Sequence, residues 1–293
     1  MVEITEKTRR LARAWGTFVD LVRLEQTVFA LPFAYTGMLL AAGGLPSGPT
    51  FLWITVAMVA ARTAGMALNR LIDREIDARN PRTRERALPA GRLAPQPVAW
   101  LAAGSLAILV LAAACLNPLC LALSPLAVGL LWGYSYLKRF TWACHLGLGL
   151  VQACGPVGAW LAVTGRFEPP PLLLGAAIML WVGGFDILYA CQDIEVDRRQ
   201  GLHSLPACLG VEGAFRIARL AHAGMLVCLV WTGLLLDLGL PYWAGLGAVG
   251  SLLVWEHSLL SPQDLSRIQQ AFFTCNALVS LTLLAGVAGD LWL

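Results

Sequence analysis

An all-α integral membrane protein of nine transmembrane helices is the fold class this sequence predicts, on three observations. Of its 293 residues 58% are hydrophobic and only 13% charged, against roughly 45–50% apolar and about 25% charged in an average soluble protein. Mean hydropathy is +0.68. The charges sit in a few short clusters separated by long uncharged runs, each near the roughly 20 apolar residues that a membrane crossing needs. The chain reads as a single membrane domain over 1–293, with no low-complexity tract and no second soluble domain.

Taken in order, the N-terminal stretch MVEITEKTRRLARAWGTFVDLVRLEQ is charged and amphipathic, and no small-residue cleavage site separates it from the first apolar run. It is expected to be a retained helix on the membrane surface, not a signal peptide. Spans are expected at 27–43, 50–69, 97–114, 117–136, 143–163, 172–192, 217–236, 241–260 and 270–290. Several breaks carry turn residues: GGLPSGP at 43–49, LNP at 116–118, GRFEPPP at 165–171 and the Leu240-Pro241 step.

Lys and Arg in the short loops set the expected orientation. Lys7, Arg9, Arg10, Arg13 and Arg23 precede the first span, and seven arginines lie between Arg70 and Arg92. Lys138 and Arg139, then Arg198, Arg199, Arg216 and Arg219, then Arg267 follow in the even-numbered loops, whereas the odd-numbered loops hold only Arg166. The N-terminus is therefore expected in the cytoplasm and the C-terminus outside, in a cell inner or plasma membrane. Since nearly all the basic residues have this topological explanation, no nucleic-acid partner is expected. The eight cysteines form no CxxC pair and no zinc spacing, and read as small buried apolar residues.

Two acidic motifs stand out. After span two, NRLIDREIDARNPRTRERALPAGRL spaces Asn69, Asp73 and Asp77 by four, which on a continuous helix puts them within about 80° of one another. After span six, DILYACQDIEVDRRQGLHSLPA places Asp186, Tyr189, Asp193 and Asp197 on one expected helical face. Four spans intervene, an even number, so both motifs are expected on the cytoplasmic side. Facing carboxylate pairs raise each other's pKa unless a counter-charge is present. Magnesium resolves the conflict: it takes oxygen ligands and commonly sits between one or two carboxylates and a substrate phosphate. The Asn69 amide offers a further oxygen, and the neighbouring Arg and Lys offer donors to phosphate. The expected substrate is a diphosphate with a greasy tail, held at the mouth of a hydrophobic cavity. The bland alternative is that these acids only pair with adjacent arginines in a solvated loop.

Arg62 and Asp186 lie inside spans, where an arginine or aspartate costs roughly 2.5–3.5 kcal/mol on insertion scales and marks function by default. Arg62 precedes Asn69 by seven residues, nearly two turns, and so faces the same way; it is expected to contact substrate. Asp186 precedes Tyr189 by one turn, and three uses are open to it: pairing with Arg62, orienting a substrate hydroxyl, or accepting a proton. His145, His222 and His257 are isolated in the sequence and are expected to have no role.

The paired motifs resemble the NxxxDxxxD and YxxxDxxxD patterns of the UbiA superfamily of intramembrane prenyltransferases. The resemblance extends to NPRTRERALPAGRL, to YSYLKRFT after span four and to GPVGAWLAVTG at the end of span five. It implies a helical bundle with a cytoplasmic cap, magnesium dependence and transfer of an isoprenoid chain. Asp73, Asp77, Asp193 and Asp197, with Asn69, would hold Mg2+ on a polyprenyl diphosphate; Lys138 would contact the diphosphate, more than Arg139, and Tyr189 would serve the site. Where many members have lysines after the second motif this chain has Arg199, which can still bind phosphate, and His203, a weaker donor at neutral pH.

YACQDIEVD is similar to the quinone-biosynthesis branch, and the nearest stretches resemble 4-hydroxybenzoate polyprenyltransferases. The acceptor implied is an aromatic hydroxy acid of ubiquinone or menaquinone biosynthesis. The dihydroxynaphthoate acceptor of the futalosine route and a haem O synthase-like activity are the alternatives. Ionisation of the allylic C–O bond, attack by the ring and release of a proton complete the implied reaction, with Asp193 one candidate among the carboxylates for that proton. From another class, a transporter predicts discontinuous helices with Gly/Pro breaks paired between two halves, and no clear pair is present.

Overall fold

The computed structural model describes Gly16, Leu21 and residues 24–293. The surface helix expected before the first span falls largely outside the described residues. The described chain is helical: α1 (Leu24–Ala42), α2 (Gly48–Ile72), the short α3 (Arg74–Arg79), α4 (Pro95–Leu116), α5 (Pro118–Leu137), α6 (Cys144–Thr164), α7 (Pro169–Ala190), the short α8 (Ile194–Arg199), α9 (Leu205–Leu235), α10 (Leu240–Ser258) and α11 (Asn276–Trp292).

The breaks fall where turn chemistry expects them. Proline, whose missing N–H is harmless in the first turn, opens α2, α4, α5, α7, α9 and α10. The side chains of Ser47, Asn117 and Ser204 cap α2, α5 and α9 by accepting from backbone N–H groups three residues on. Gly165, at φ +68°, ends α6 in the left-handed conformation that glycine reaches without strain.

Nine spans are expected from the sequence; seven of the described helices are long and apolar enough to cross a membrane. The two remaining expected spans coincide with α1 and α10. The apolar part of α1 among the described residues is the shorter Ala30–Ala42, and α10 is diluted by glycines, Tyr242, two tryptophans, Glu256 and His257. Both pack as members of the bundle.

Helix α6 is the hub, touching α1, α5 and α7. On one side α2, α4 and α5 pack together; on the other α7 meets α9, and α10 and α11 close back onto α1. Without a hydrophobic drive between helices in lipid, close approach and dispersion hold such a bundle. Gly37 lies so near the Pro156 carbonyl, and Gly149 so near that of Met179, that a β-carbon at either would clash with backbone.

Both motif segments depart from the single helix that their spacing predicts. Helix α2 stops at Ile72, Asp73 caps it at φ −93°, and α3 starts at Arg74. After α7, a 3₁₀ turn over Cys191–Asp193 precedes α8. Across the first break the helical pattern of backbone bonds continues, from Asp73 N–H to the Asn69 carbonyl at 2.9 Å and from Asp77 N–H to the Asp73 carbonyl at 2.7 Å.

Candidate active site

Between the two halves of the bundle lies a cavity of about 580 Å³ whose lining includes Arg62, Asn69, Arg70, Arg82, Arg86, Tyr134, Gln152, Asp186, Tyr189 and Asn276. A second, almost wholly apolar cavity of about 280 Å³ adjoins it, between α2, α4, α5 and α6. Arg62, Met66, Tyr134, Leu148 and Gln152 line both. The site therefore has a polar chamber rich in arginine and an apolar extension.

None of the four motif aspartates lines this cavity, but Asp73, Asp77 and Asp193 bond to Asn69, Arg86 and Arg82, which do. Asn69 donates through Nδ2 to Asp73 Oδ2 at 2.7 Å and to Ser135 Oγ at 3.3 Å. Arg139 Nη2 stands 3.5 Å from Asp73 Oδ1 and donates to the Ile72 carbonyl at 2.6 Å. Asp77 accepts from Arg86 Nη1 with both oxygens, at 2.9 and 2.8 Å, with Arg70 4.0 Å away. In the second motif, Asp193 Oδ1 accepts from Asn80 Nδ2 at 2.9 Å and from Arg82 Nε at 3.0 Å, and its Oδ2 accepts from Arg82 Nη2. Arg82 also donates to the Tyr189 hydroxyl at 3.2 Å. Lys138 Nζ lies 2.7 Å from Asp197 Oδ1.

These bonds join segments far apart in sequence. Asn80 and Arg82, from the loop after the first motif, hold the second motif's Asp193, and Gln200 Nε2 reaches the Ile76 carbonyl at 3.4 Å. The two motif loops thus meet at one end of the bundle.

The electrostatics fit a divalent cation shared with phosphate. Burial, and then the neighbouring Asp77, push the Asp73 carboxyl up to about 6, with Arg139 and Lys138 opposing. Asp197 is 1% exposed, and its Oδ2 has no hydrogen-bond partner among the described residues. Burial opposes the charge on Lys138, but Asp197 outweighs it and holds the ammonium above its ordinary value. Among the described residues no three His, Cys, Asp or Glu side chains are grouped to hold a metal alone. A magnesium ion at these aspartates would therefore draw further oxygens from a bound phosphate, its usual habit. Each aspartate is meanwhile paired with an Arg or Lys that is also a phosphate donor.

The structure brings together Asp73, Asp77, Asp193, Asp197, Asn69, Lys138 and Tyr189, and places Arg62 and Asp186 in the chamber they adjoin. Arg199 is not brought in: its exposed side chain pairs with Glu195 at 2.9 Å on the outer face of α8. The basic residue beside Asp193 is Arg82, from the loop after the first motif. His145 is not isolated: its Nδ1 lies 2.6 Å from Asp186 Oδ2, the partner in place of the Arg62 pairing considered for Asp186. His222 and His257 likewise contact each other, at 3.0 Å.

Several lining residues escape the motif reading. Phe272, Phe273 and Asn276 enter the chamber from a π-helical turn over Ala271–Cys275 that leads into α11. Such single-turn π segments often accompany functional sites. Nothing in a run of apolar residues signals one. Arg82 and Arg86 do carry a signal, the density of arginine in NPRTRER, which in the sequence reads as phosphate donors and topology markers without singling either out.

Comparison with known proteins agrees with this geometry. Residues 30–278 match the UbiA prenyltransferase family. A 4-hydroxybenzoate octaprenyltransferase of Chromohalobacter salexigens is 31% identical over 279 residues, 94% of this chain and 93% of the relative. One from Cupriavidus necator is 32% identical, over 87% and 90%. A solved UbiA homologue from Aeropyrum pernix superposes with a TM-score of 0.83 at 32% identity, over 91% of this chain and 98% of that one. One from Archaeoglobus fulgidus, bound to GPP and Mg2+, shares the fold at 16% identity, with a TM-score of 0.70 over 94% and 100%. With its helical membrane architecture and its two aspartate motifs meeting over one chamber, the chain belongs to the UbiA prenyltransferase family and is a membrane prenyltransferase.

Proposed function

We propose that this protein transfers a polyprenyl group from polyprenyl diphosphate to an aromatic hydroxy acid of the 4-hydroxybenzoate type, with Mg2+ as cofactor, in ubiquinone or menaquinone biosynthesis. One observation carries the reading: an arginine-rich chamber, whose Asn69, Arg82 and Arg86 are bonded to aspartates of both motifs, continues into an apolar cavity. A ligand with a charged head and a hydrocarbon tail fits that order. The relatives named 4-hydroxybenzoate octaprenyltransferase support the acceptor class.

Asp73, Asp77, Asp193 and Asp197 would hold the metal, with Asn69 beside them. When bound, magnesium supplies positive charge against the negative charge that grows on the leaving diphosphate. Arg82, Arg86, Lys138 and Arg139, now paired with the aspartates, are placed to donate to its oxygens. The apolar walls keep water from the allylic cation. Arg62, where the two cavities join, would take the acceptor's carboxylate through its planar fork.

The test is an acceptor screen on purified protein at one fixed allylic diphosphate with Mg2+. Prenylated product and pyrophosphate are expected with 4-hydroxybenzoate and less with a dihydroxynaphthoate. The reverse order would move the protein to the futalosine route; a porphyrin product would make it haem O synthase-like. No pyrophosphate release with any acceptor would return the transporter reading.

We further propose nine crossings, with the N-terminus and the chamber mouth cytoplasmic and the C-terminus outside, in the inner or plasma membrane. The contact of Asn80 with Asp193 requires the two motif loops to share a side. Reporter fusions at 80–90 and 200–212 should report cytoplasm, and at 165–170 the opposite side. Motif loops on opposite sides would end the shared-site reading.

A further inference from the structure

Of the carboxylates in this region, Asp186 stands apart in joining an unengaged oxygen to a place on the chamber wall; Asp197 also has one oxygen without a partner among the described residues, but it is 1% exposed and does not line the chamber. Asp193 has both oxygens engaged by Asn80 and Arg82, and Asp77 has both engaged by Arg86. Asp186 and Glu85 line the chamber, but Glu85 is highly exposed on the arginine loop. Asp186 Oδ2 is bound to His145 Nδ1, whereas Oδ1 accepts no hydrogen bond from the described residues. One oxygen is thus fixed and the other is left for whatever enters the chamber.

His145 is built to fix it. Its side chain is 4% exposed, and its Nε2 lies 3.2 Å from the Leu205 backbone N–H at the start of α9. A backbone N–H can only donate, so Nε2 carries the lone pair and Nδ1 carries the hydrogen given to Asp186. On α7, Gly183 packs close to the His145 backbone.

Resting on an aromatic hydroxy acid as acceptor, we propose that Asp186 is the catalytic base that takes the acceptor's hydroxyl proton, and that His145 is the positioning residue that aims it. The allylic C–O bond breaks and the diphosphate leaves with the electron pair. The ring carbon beside the hydroxyl then forms the new C–C bond, drawing electrons from the hydroxyl oxygen as its proton passes to Asp186 Oδ1. The cyclohexadienone so formed loses its ring proton to the released diphosphate. Asp186 returns its proton to the oxygen, restoring both the phenol and the carboxylate. Asp193, fully engaged by Asn80 and Arg82, is relieved of this role.

The test compares variants with wild type on acceptors of different hydroxyl acidity, because a missing base matters less when the proton leaves readily. Asp186→Asn should lower kcat on 4-hydroxybenzoate by about a hundredfold or more. On 3-fluoro-4-hydroxybenzoate, which keeps one ring position open beside a more acidic hydroxyl, that loss should shrink severalfold. The KM for the prenyl diphosphate and the thermal melting midpoint should stay close to wild type. His145→Phe should lower kcat by about tenfold with the same partial recovery. His145→Asn, whose amide N–H sits near the lost Nδ1–H, should remain within about threefold of wild type. A folded Asp186→Asn that loses equally on both acceptors, or loses only in acceptor KM, overturns the proposal. If Asp186→Asn does not fold, the histidine pair decides: equal impairment of Phe and Asn, indifferent to acidity, overturns it. Wild type inert toward every phenolic acid is a separate result, and it defeats the acceptor assignment before any variant is made.

Discussion

Asp193→Ala and Asp73→Ala are expected to abolish prenyl transfer while leaving folded, membrane-inserted protein. The loss should reach about a thousandfold in kcat/KM, roughly 4 kcal/mol of transition-state stabilisation. Two effects add in Asp193→Ala. The site loses a carboxylate proposed to hold magnesium, and Arg82 and Asn80 lose the acceptor that ties the first loop to the second motif. Asp193→Asn separates them: it keeps an oxygen for Arg82 and Asn80 but not the charge. If the metal role dominates, Asp193→Asn is nearly as dead as alanine, yet its loop is as protected from protease as in wild type. If bridging dominates, Asp193→Asn recovers much of the rate. Asp73→Ala has no such cross-loop partner, since Asp73 bonds to Asn69 one turn before it and faces Arg139. Near-normal turnover in both alanine variants would show the motifs to be solvated charge, the bland alternative that their sequence allows.

Much of this architecture is legible in the sequence, for identifiable reasons. Hydrocarbon thickness fixes span length, so uncharged runs locate helices, and Pro118, Pro169 and Pro241 each open one. The motif aspartates are legible because ionised side chains beside a membrane span require a reason. What the spacing does not show is the interruption within each motif, at Asp73 and over Cys191–Asp193. After the second break Asp197 is buried against Lys138, but Arg199 lands on the exposed face. Pairings across the chain are illegible for a different cause: nothing local to His145 indicates that Asp186, 41 positions later, will lie 2.6 Å away. Arg82 and Asp193, 111 positions apart, are the same case.

Arg62→Ala is expected to raise the acceptor KM by tenfold or more, about 1.4 kcal/mol at least, with little change in affinity for prenyl diphosphate. Arg62 lies on α2 seven residues before Asn69, about 10 Å deeper at 1.5 Å per residue, and it lines both the arginine-rich chamber and the apolar cavity. A diphosphate at the motif aspartates would put its allylic carbon inward of them, so the aromatic ring must lie near Arg62's depth to be attacked. A guanidinium there matches a carboxylate with two parallel hydrogen bonds, and a site shielded from water strengthens them. Arg62→Lys should rescue only in part, because an ammonium supplies a point charge without the fork. A phenol lacking the carboxylate should bind wild type poorly and be indifferent to the substitution. The double variant Arg62→Ala with Asp186→Asn adds a second check: if Arg62 holds the carboxylate and Asp186 the hydroxyl, the first change moves KM, the second moves kcat, and the two combine nearly additively. Should Arg62→Ala weaken the diphosphate substrate alone, Arg62 belongs to the phosphate end and the acceptor need not be an acid.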